Sequence, residues 1–267
     1  MTQIDKAGTS YWDDNWSQIE FPKPFVHTDN SLDNYINLQF HQYIQKVLGD
    51  KKGCSVLEIG CANSIWPLYF YQYFDAKIYG LDYSEVGCDR SRAILEYYKI
   101  PGEIYCANLF SPPTDLLQKF DLVVSFGVVE HFENTADCLK SCAAFVKPGG
   151  YLLTFIPNMP GIVGWIQKYV DRAVYDVHMP LTQKKLIEAH EQSHLILKEC
   201  EYFMSINLST VNSGAFSKHP YNKYLRHALS VPSKIFWIFE RLGLRIPKNR
   251  FTSPYIVSLA MPPTGLK

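Results

Sequence analysis

Glu58 and Asp82 are the first residues whose types and spacing suggest chemistry. Glu58 opens Glu58-Ile-Gly60-Cys-Ala-Asn-Ser64 at the close of a short β-rich run, and Asp82 ends the next such run, 24 residues later. An acidic side chain at the carboxyl end of a strand can accept the hydrogens of both ribose hydroxyls, so this pair implies a bound nucleoside. A dinucleotide would require Gly-x-Gly-x-x-Gly to bring backbone amides against its pyrophosphate, and only Gly60 stands where that pattern needs it. Taken alone, Glu58 has a simpler role as a strand-end carboxylate capping a neighbouring helix. Glu130-His131 follows the run Phe120–Phe126. An imidazole titrating near neutrality can take a proton from a hydroxyl, amine or thiol, whereas the simpler role of His131 is a hydrogen bond that shapes a pocket wall. His178 is a second polar group able to reach the same molecule. His190 and His194, four apart on an expected helix, would make half a metal site. No third ligand accompanies them, so they are expected on a solvated helix face and no metal is assigned. Cys61 is expected as a small loop residue rather than a nucleophile.

These residues need a frame. The chain has 267 residues, between one and two domains' worth at roughly 150 each. Its 26 basic and 26 acidic residues cancel, and 47% apolar against 19% charged residues is a globular composition, with no general affinity for polyanions. The zero is a sum of unlike ends. Residues 1–50 carry seven acids against Lys6, Lys23 and Lys46, while residues 217–250 carry eight Lys or Arg against Glu240. Seven cysteines without Cys-x-x-Cys spacing, and no apolar leader after Met1, fit a reducing cytoplasm. The 15% aromatic share points to an apolar pocket.

Hydrophobic period and punctuation predict a helix over 30–49, strands at Cys54–Gly60 and Lys77–Asp82, and a helical stretch between them to Phe74. A helix over 84–99, strands at Gly102–Ala107 and Phe120–Phe126, a helix over 134–146 and a strand at Gly150–Ile156 follow. Continuous apolar strands separated by helices argue a mostly parallel sheet covered on both faces. After Pro157 the rhythm breaks. Residues 158–181 are too long for an ordinary connection. A helix over 182–194 capped by Thr182, a strand near 195–208, a second insertion over 213–250 and a last strand at Tyr255–Met261 complete the chain.

Val56-Leu-Glu-Ile-Gly60-Cys-Ala62, Gly80-Leu-Asp82, Asp121-Leu-Val-Val-Ser125, Glu130-His131 and Lys147-Pro-Gly-Gly150 together resemble class I S-adenosylmethionine-dependent methyltransferases. The resemblance spans about residues 52–157. It implies an α/β, Rossmann-like seven-stranded sheet and a nucleoside cofactor without phosphate, which needs no full glycine pattern. In the family's acidic-x-Gly-x-Gly-x-Gly motif, Ala62 and Ser64 stand here for the second and third glycines. Carried over by position, the resemblance places Glu58, Gly60 and Cys61 around the methionine part, Asp82 on the ribose and Tyr83 beside the adenine. Asn108, followed by Leu109, replaces the Asp usual near the adenine amino group, and its amide oxygen can still accept a hydrogen bond. Phe126 would face the sulfonium.

The expected organisation is a cap segment and helix over 1–50, a cofactor-binding core over 51–157, and a core continuation over 182–212 and 251–267. Segments 158–181 and 213–250 are expected as helical lids. Tyr11, Trp12 and Trp16 precede the core, and in similar enzymes such a segment closes over the site, so Tyr11 or Trp12 is expected against cofactor or acceptor. The second insertion interleaves Lys218, Lys223, Arg226, Lys234, Arg241, Arg245, Lys248 and Arg250 with Ile235, Phe236, Trp237, Ile238, Phe239, Leu242 and Leu244. This is consistent with a solvated lid, an anionic acceptor, or a peripheral membrane contact through 234–245. The favoured activity is methyl transfer to an O or N atom of a small molecule, without nucleic acid. Alternatives are a lipophilic, quinone-like acceptor at a membrane, or a non-catalytic S-adenosylmethionine sensor supported by Ser64 and Asn108.

Overall fold

The computed structural model describes residues 5–16, 20–214 and 219–263. Met1 to Ile4, Lys218 and the side chain of Trp16 lie outside the described residues. In chain order the elements are α1 (Thr9–Trp16), α2 (Tyr35–Leu48), β1 (Ser55–Ile59), α3 (Trp66–Phe74), β2 (Lys77–Asp82), α4 (Glu85–Tyr97), β3 (Gly102–Cys106) and β4 (Phe120–Phe126). Then come α5 (Thr135–Ala143), β5 (Val146–Pro157), α6 (Ile162–Val170), α7 (Arg172–Asp176), α8 (Gln183–Gln192), β6 (Ile196–Phe203), α9 (Asn222–Arg241) and β7 (Tyr255–Met261). The seven strands form one sheet in the order β3-β2-β1-β4-β5-β7-β6. β1 to β5 are parallel, and β7 runs antiparallel to both β5 and β6.

The apolar strands are buried on both faces, as their composition requires. Val56, Leu122, Val124 and Leu153 enter a core shared with Ile44 of α2 and Phe70 and Phe74 of α3. Their neighbours Leu57, Val123 and Leu152 enter a second core with Leu139 of α5 and Leu186 of α8. Chain order reverses at β1, which sits between β2 and β4, and at such a switch point the strand ends open a crevice for ligands.

Local hydrogen bonding explains where elements begin. Ser84, Asn134 and Thr182 cap α4, α5 and α8 by accepting from Gly87 N, Asp137 N and Lys185 N. α2 starts at Tyr35 rather than residue 30, because Asn34 spends its side-chain amide on Val26 O and Asp29 O at 2.7 and 2.8 Å and holds residues 26–34 in turns. β5 begins at Val146, before Pro148-Gly-Gly150. That turn is a register shift within the strand, between the pairs Phe120↔Val146 and Leu122↔Tyr151. There Lys147 pairs with Asp121. The strand expected near 195–208 ends at Phe203. Segment 158–181 contains α6 and α7, and 213–250 contains α9.

Two placements correct the sequence-based expectations. His190 is fully buried, with its Nδ1 donating to Leu186 O at 2.8 Å, whereas His194 lies exposed beyond the end of α8 at φ 57°. The two share no solvated face. Trp237, placed among membrane-facing residues by its sequence neighbours, is 2% exposed. It stacks on Tyr35 at 4.9 Å and donates from Nε1 to Ile206 O at 2.9 Å.

Candidate active site

β1 ends at Ile59 and gives way to Gly60, whose φ of +72° is a left-handed conformation natural to glycine. A Cβ there would stand 2.7 Å from Val128 Cγ2, so the turn is also too close to the β4 loop for a side chain. In the following loop Ser64 Oγ donates to Glu58 Oε1 at 2.7 Å and accepts from Trp66 N at 3.1 Å. Glu58 is 4% exposed and its other oxygen, Oε2, has no partner. Burial pushes its pKa up to about 8, against the Ser64 hydrogen bond and aided by nearby Asp82. Asp82 accepts from Ser84 N at 2.9 Å and Ala62 N at 3.3 Å, which joins the loops after β1 and β2. Burial raises its pKa too.

Glu58, Gly60, Asp82, Tyr83, Leu109 and Phe126 line one cavity of about 340 Å³, together with Ala62, Ser64, Trp66 and His131. A nucleoside cofactor with a cationic amino-acid tail fits these residues: an unpartnered buried carboxylate oxygen stands near one strand end, an acid near the next, and Leu109 and Tyr83 supply a flat-ring environment. Two expected contacts are not brought in. Cys61 points into the core, where its Sγ would lie 2.6 Å from a Cβ on Gly80 and accepts from Ser91 Oγ at 3.5 Å. Asn108 is exposed and its Oδ1 is taken by Phe110 N at 2.8 Å, so Ala107 and Leu109 line the cavity in its place.

A second cavity of about 410 Å³ shares Trp12, Trp66, Phe126, Gly127 and His131 with the first. Its apolar wall includes Tyr11, Phe40, Phe155 and Tyr255. Phe126 is sandwiched between Trp66 at 4.1 Å and Phe155 at 5.1 Å, both nearly parallel to it. The covered faces leave the ring edge for the cavities.

The polar end comprises Glu130, His131 and His178. A single 3₁₀ turn, Val129–His131, presents the first two. His131 Nδ1 donates to Val177 O at 2.9 Å and His178 Nδ1 to Val174 O at 2.6 Å, because a carbonyl can only accept. Burial, then the neighbouring His178, lowers the His131 pKa to about 4, and the Val177 and Gly127 carbonyls do not offset this. Burial also lowers His178, with the Lys6 ammonium adding to the effect and the Val174 carbonyl opposing it. Both rings are therefore neutral near pH 7, with a lone pair left on Nε2. Glu130 is 1% exposed, and neither carboxylate oxygen has a hydrogen-bond partner from another residue.

The segment before the core crosses this region. Asp5 bridges to Phe132, Lys6 N donates to His131 O at 3.0 Å, and Tyr83 donates to Asp5. Trp12 packs edge-on against His131 at 5.0 Å. Sequence reading missed Ser64, Trp66 and Asp5 as site residues. Ser64 registered only as a lost glycine, although a hydroxyl six residues after a strand-end Glu is placed to reach back to it.

The model of a methyltransferase domain family matches residues 32–195. Ubiquinone biosynthesis O-methyltransferase of Shewanella pealeana is 26% identical over 209 residues, covering 74% of this chain and 82% of that protein. Probable tRNA methyltransferase 9B of Mus musculus is 28% identical over 148 residues, 52% of this chain but only 30% of that longer protein. Among solved structures, geranyl diphosphate C-methyltransferase of Streptomyces coelicolor, in complex with S-adenosyl-L-homocysteine, aligns with a TM-score of 0.56 over 95% of this chain and 96% of its own, at 14% identity. That likeness concerns the fold, while the domain match covers more than half of the chain: the protein belongs to the methyltransferase-domain family and is an S-adenosylmethionine-dependent methyltransferase with a Rossmann-like fold.

Proposed function

We propose that the enzyme transfers the methyl group to an O or N atom of a small-molecule acceptor in the second cavity. The supporting observation is the wall common to both cavities, Trp12, Trp66, Phe126, Gly127 and His131, across which a nucleophile could face the cofactor's sulfur. S-adenosylmethionine supplies a methyl on a cationic sulfur, so transfer asks mainly for in-line placement and exclusion of water. In this assignment Glu58 Oε2 takes the cofactor's amino group, Asp82 the ribose hydroxyls, and Tyr83 and Leu109 the adenine. Phe126 borders the sulfonium, and Tyr11 and Trp12 exclude water. His131 receives the acceptor's proton at Nε2, with Glu130 and His178 beside it. S-adenosylhomocysteine is the product.

Calorimetry with S-adenosylmethionine, followed by assay of S-adenosylhomocysteine formation across a panel of phenols and amines, tests this. Binding that falls at least tenfold in Asp82→Ala, with turnover lost in His131→Ala but cofactor affinity kept, is expected. Absence of binding in the parent protein overturns it.

A lipophilic acceptor taken from a membrane surface is a second reading, favoured by α9. Ile235, Phe236, Ile238, Phe239 and Leu242 are 41–76% exposed there among Lys and Arg side chains. The likeness to the ubiquinone biosynthesis O-methyltransferase fits this reading. Among the described residues no helix is long and apolar enough to cross a membrane, so such contact would be peripheral.

A further inference from the structure

We propose that Glu130, His131 and His178 bind one divalent transition-metal ion of the zinc type at the polar end of the second cavity, with a coordination position left open to the acceptor. One donor atom from each of the three lies within 4.8 Å of the other two. Ligands about 2.0–2.2 Å from a tetrahedral zinc stand about 3.3–3.5 Å apart, so no pair needs to close by more than about 1.5 Å. His178 is the half-buried member of the three, whereas Glu130 and His131 are buried.

Three features point to an ion. Glu130 is buried with both oxygens free of partners from other residues, an arrangement whose cost a cation removes. Each imidazole is oriented by a carbonyl on Nδ1, Val177 for one ring and Val174 for the other, which is how metal-bound histidines are usually held; coordination through the other nitrogen would require His131 to give up its weaker contact with the Gly127 carbonyl. Two imidazoles and one carboxylate also make a donor set that suits Zn²⁺ or Co²⁺ and keeps a position open, whereas Mg²⁺ prefers oxygen throughout.

The binding claim stands apart from methyl transfer; the ion's role rests on that reading. An acceptor hydroxyl held by the ion would lose its proton more readily. The methyl–sulfur bond then breaks as the methyl–oxygen bond forms, the bonding pair returns to sulfur, and the proton goes to solvent. With the ion bound, His131 coordinates and the ion takes over activation of the acceptor; the base role given to His131 above belongs to the ion-free enzyme.

The test uses untagged full-length protein stripped with EDTA and titrated with Co²⁺, followed by visible absorption, and with Zn²⁺ by calorimetry. One ion per chain is expected, with affinity reduced at least tenfold in His178→Ala and in Glu130→Gln and with circular dichroism unchanged. As a check independent of any variant, Zn²⁺ must shift the imidazole NMR signals of His131 and His178 and leave those of exposed His194 and His219 in place. Sub-stoichiometric binding of both ions, equal affinity in all three proteins, or unshifted His131 and His178 signals overturns the site. S-adenosylmethionine affinity is measured separately on the stripped protein. Its absence would defeat the methyl-transfer reading while leaving metal binding to stand or fall by itself.

Discussion

Ser64 Oγ holds Glu58 Oε1 at 2.7 Å and thereby leaves Oε2 as the single unsatisfied oxygen of a buried carboxylate. With its pKa raised to about 8 by burial, free Glu58 is mostly protonated near neutrality. Binding a cationic amino group favours the ionised form, so under the proposed assignment of Glu58 to the cofactor's amino group, uptake expels a proton.

Cofactor affinity should therefore rise with pH from about 5 to about 8 and level off above it. Calorimetry in buffers of different ionisation enthalpy should show proton release below pH 8. Glu58→Gln should abolish both effects, and Ser64→Ala should weaken binding by about 1–3 kcal/mol, the cost of stranding a buried acceptor. A pH-independent affinity in the parent would remove Glu58 from the cofactor's amino group.

Gly60→Ala places a methyl group 2.7 Å from Val128 Cγ2 in a left-handed backbone. The conformation alone costs about 1–2 kcal/mol. Thermal denaturation should show that loss, and Val128→Ala in the same chain should recover the steric part only. Cofactor affinity should fall with it, because the turn at Gly60 positions Glu58 and Ser64.

His190 offers a pH test of stability. Its pKa is lowered by burial, so the unfolded chain takes up a proton before the folded one as pH drops below 6.5. Its contribution is fully present above 6.5 and is lost on acidification. His190→Leu removes the titration and the unpartnered Nε2, and should raise the melting temperature relative to the parent more at pH 5.5 than at pH 7.5. An equal effect at both pH values would contradict this.

Membrane contact through α9 is separable from folding. Trp237→Ala should cost about 3–5 kcal/mol of stability, as an emptied aromatic site does, because Trp237 fills the space against Tyr35. Phe236→Ser with Phe239→Ser alters residues 41% and 46% exposed and should leave stability almost unchanged. If the membrane reading holds, flotation with anionic vesicles at low salt is lost in the double variant; if the parent does not float, that reading fails.

The central strands β1, β4 and β7 were legible because each is a largely apolar, buried run between turn residues. The antiparallel direction of β7 was not, since Tyr255–Met261 would present the same apolar run either way. Thr182 announced α8 through a short-range hydrogen bond, whereas nothing in the sequence showed that Asn34 would bond backward to Val26 and Asp29 and delay the start of α2. Glu58, Gly60, Asp82, Phe126 and His131, picked from the sequence, line one cavity because strand ends and the loops after them converge at a switch point. Cys61 and Asn108 were misplaced because position along a motif does not fix the side-chain direction. Trp237 and His190 show the same limit. Their neighbours are polar or exposed, but the helix turn carrying each faces inward.

The segment from Asp5 to Trp12 touches Tyr83 at one cavity and His131 at the other, and Trp12 borders both. A single strap thus forms part of the wall of both chambers, and a shift in it would reach both at once. A ligand in one chamber should then change the affinity measured by calorimetry for a ligand in the other, and Trp12→Ala should weaken that coupling.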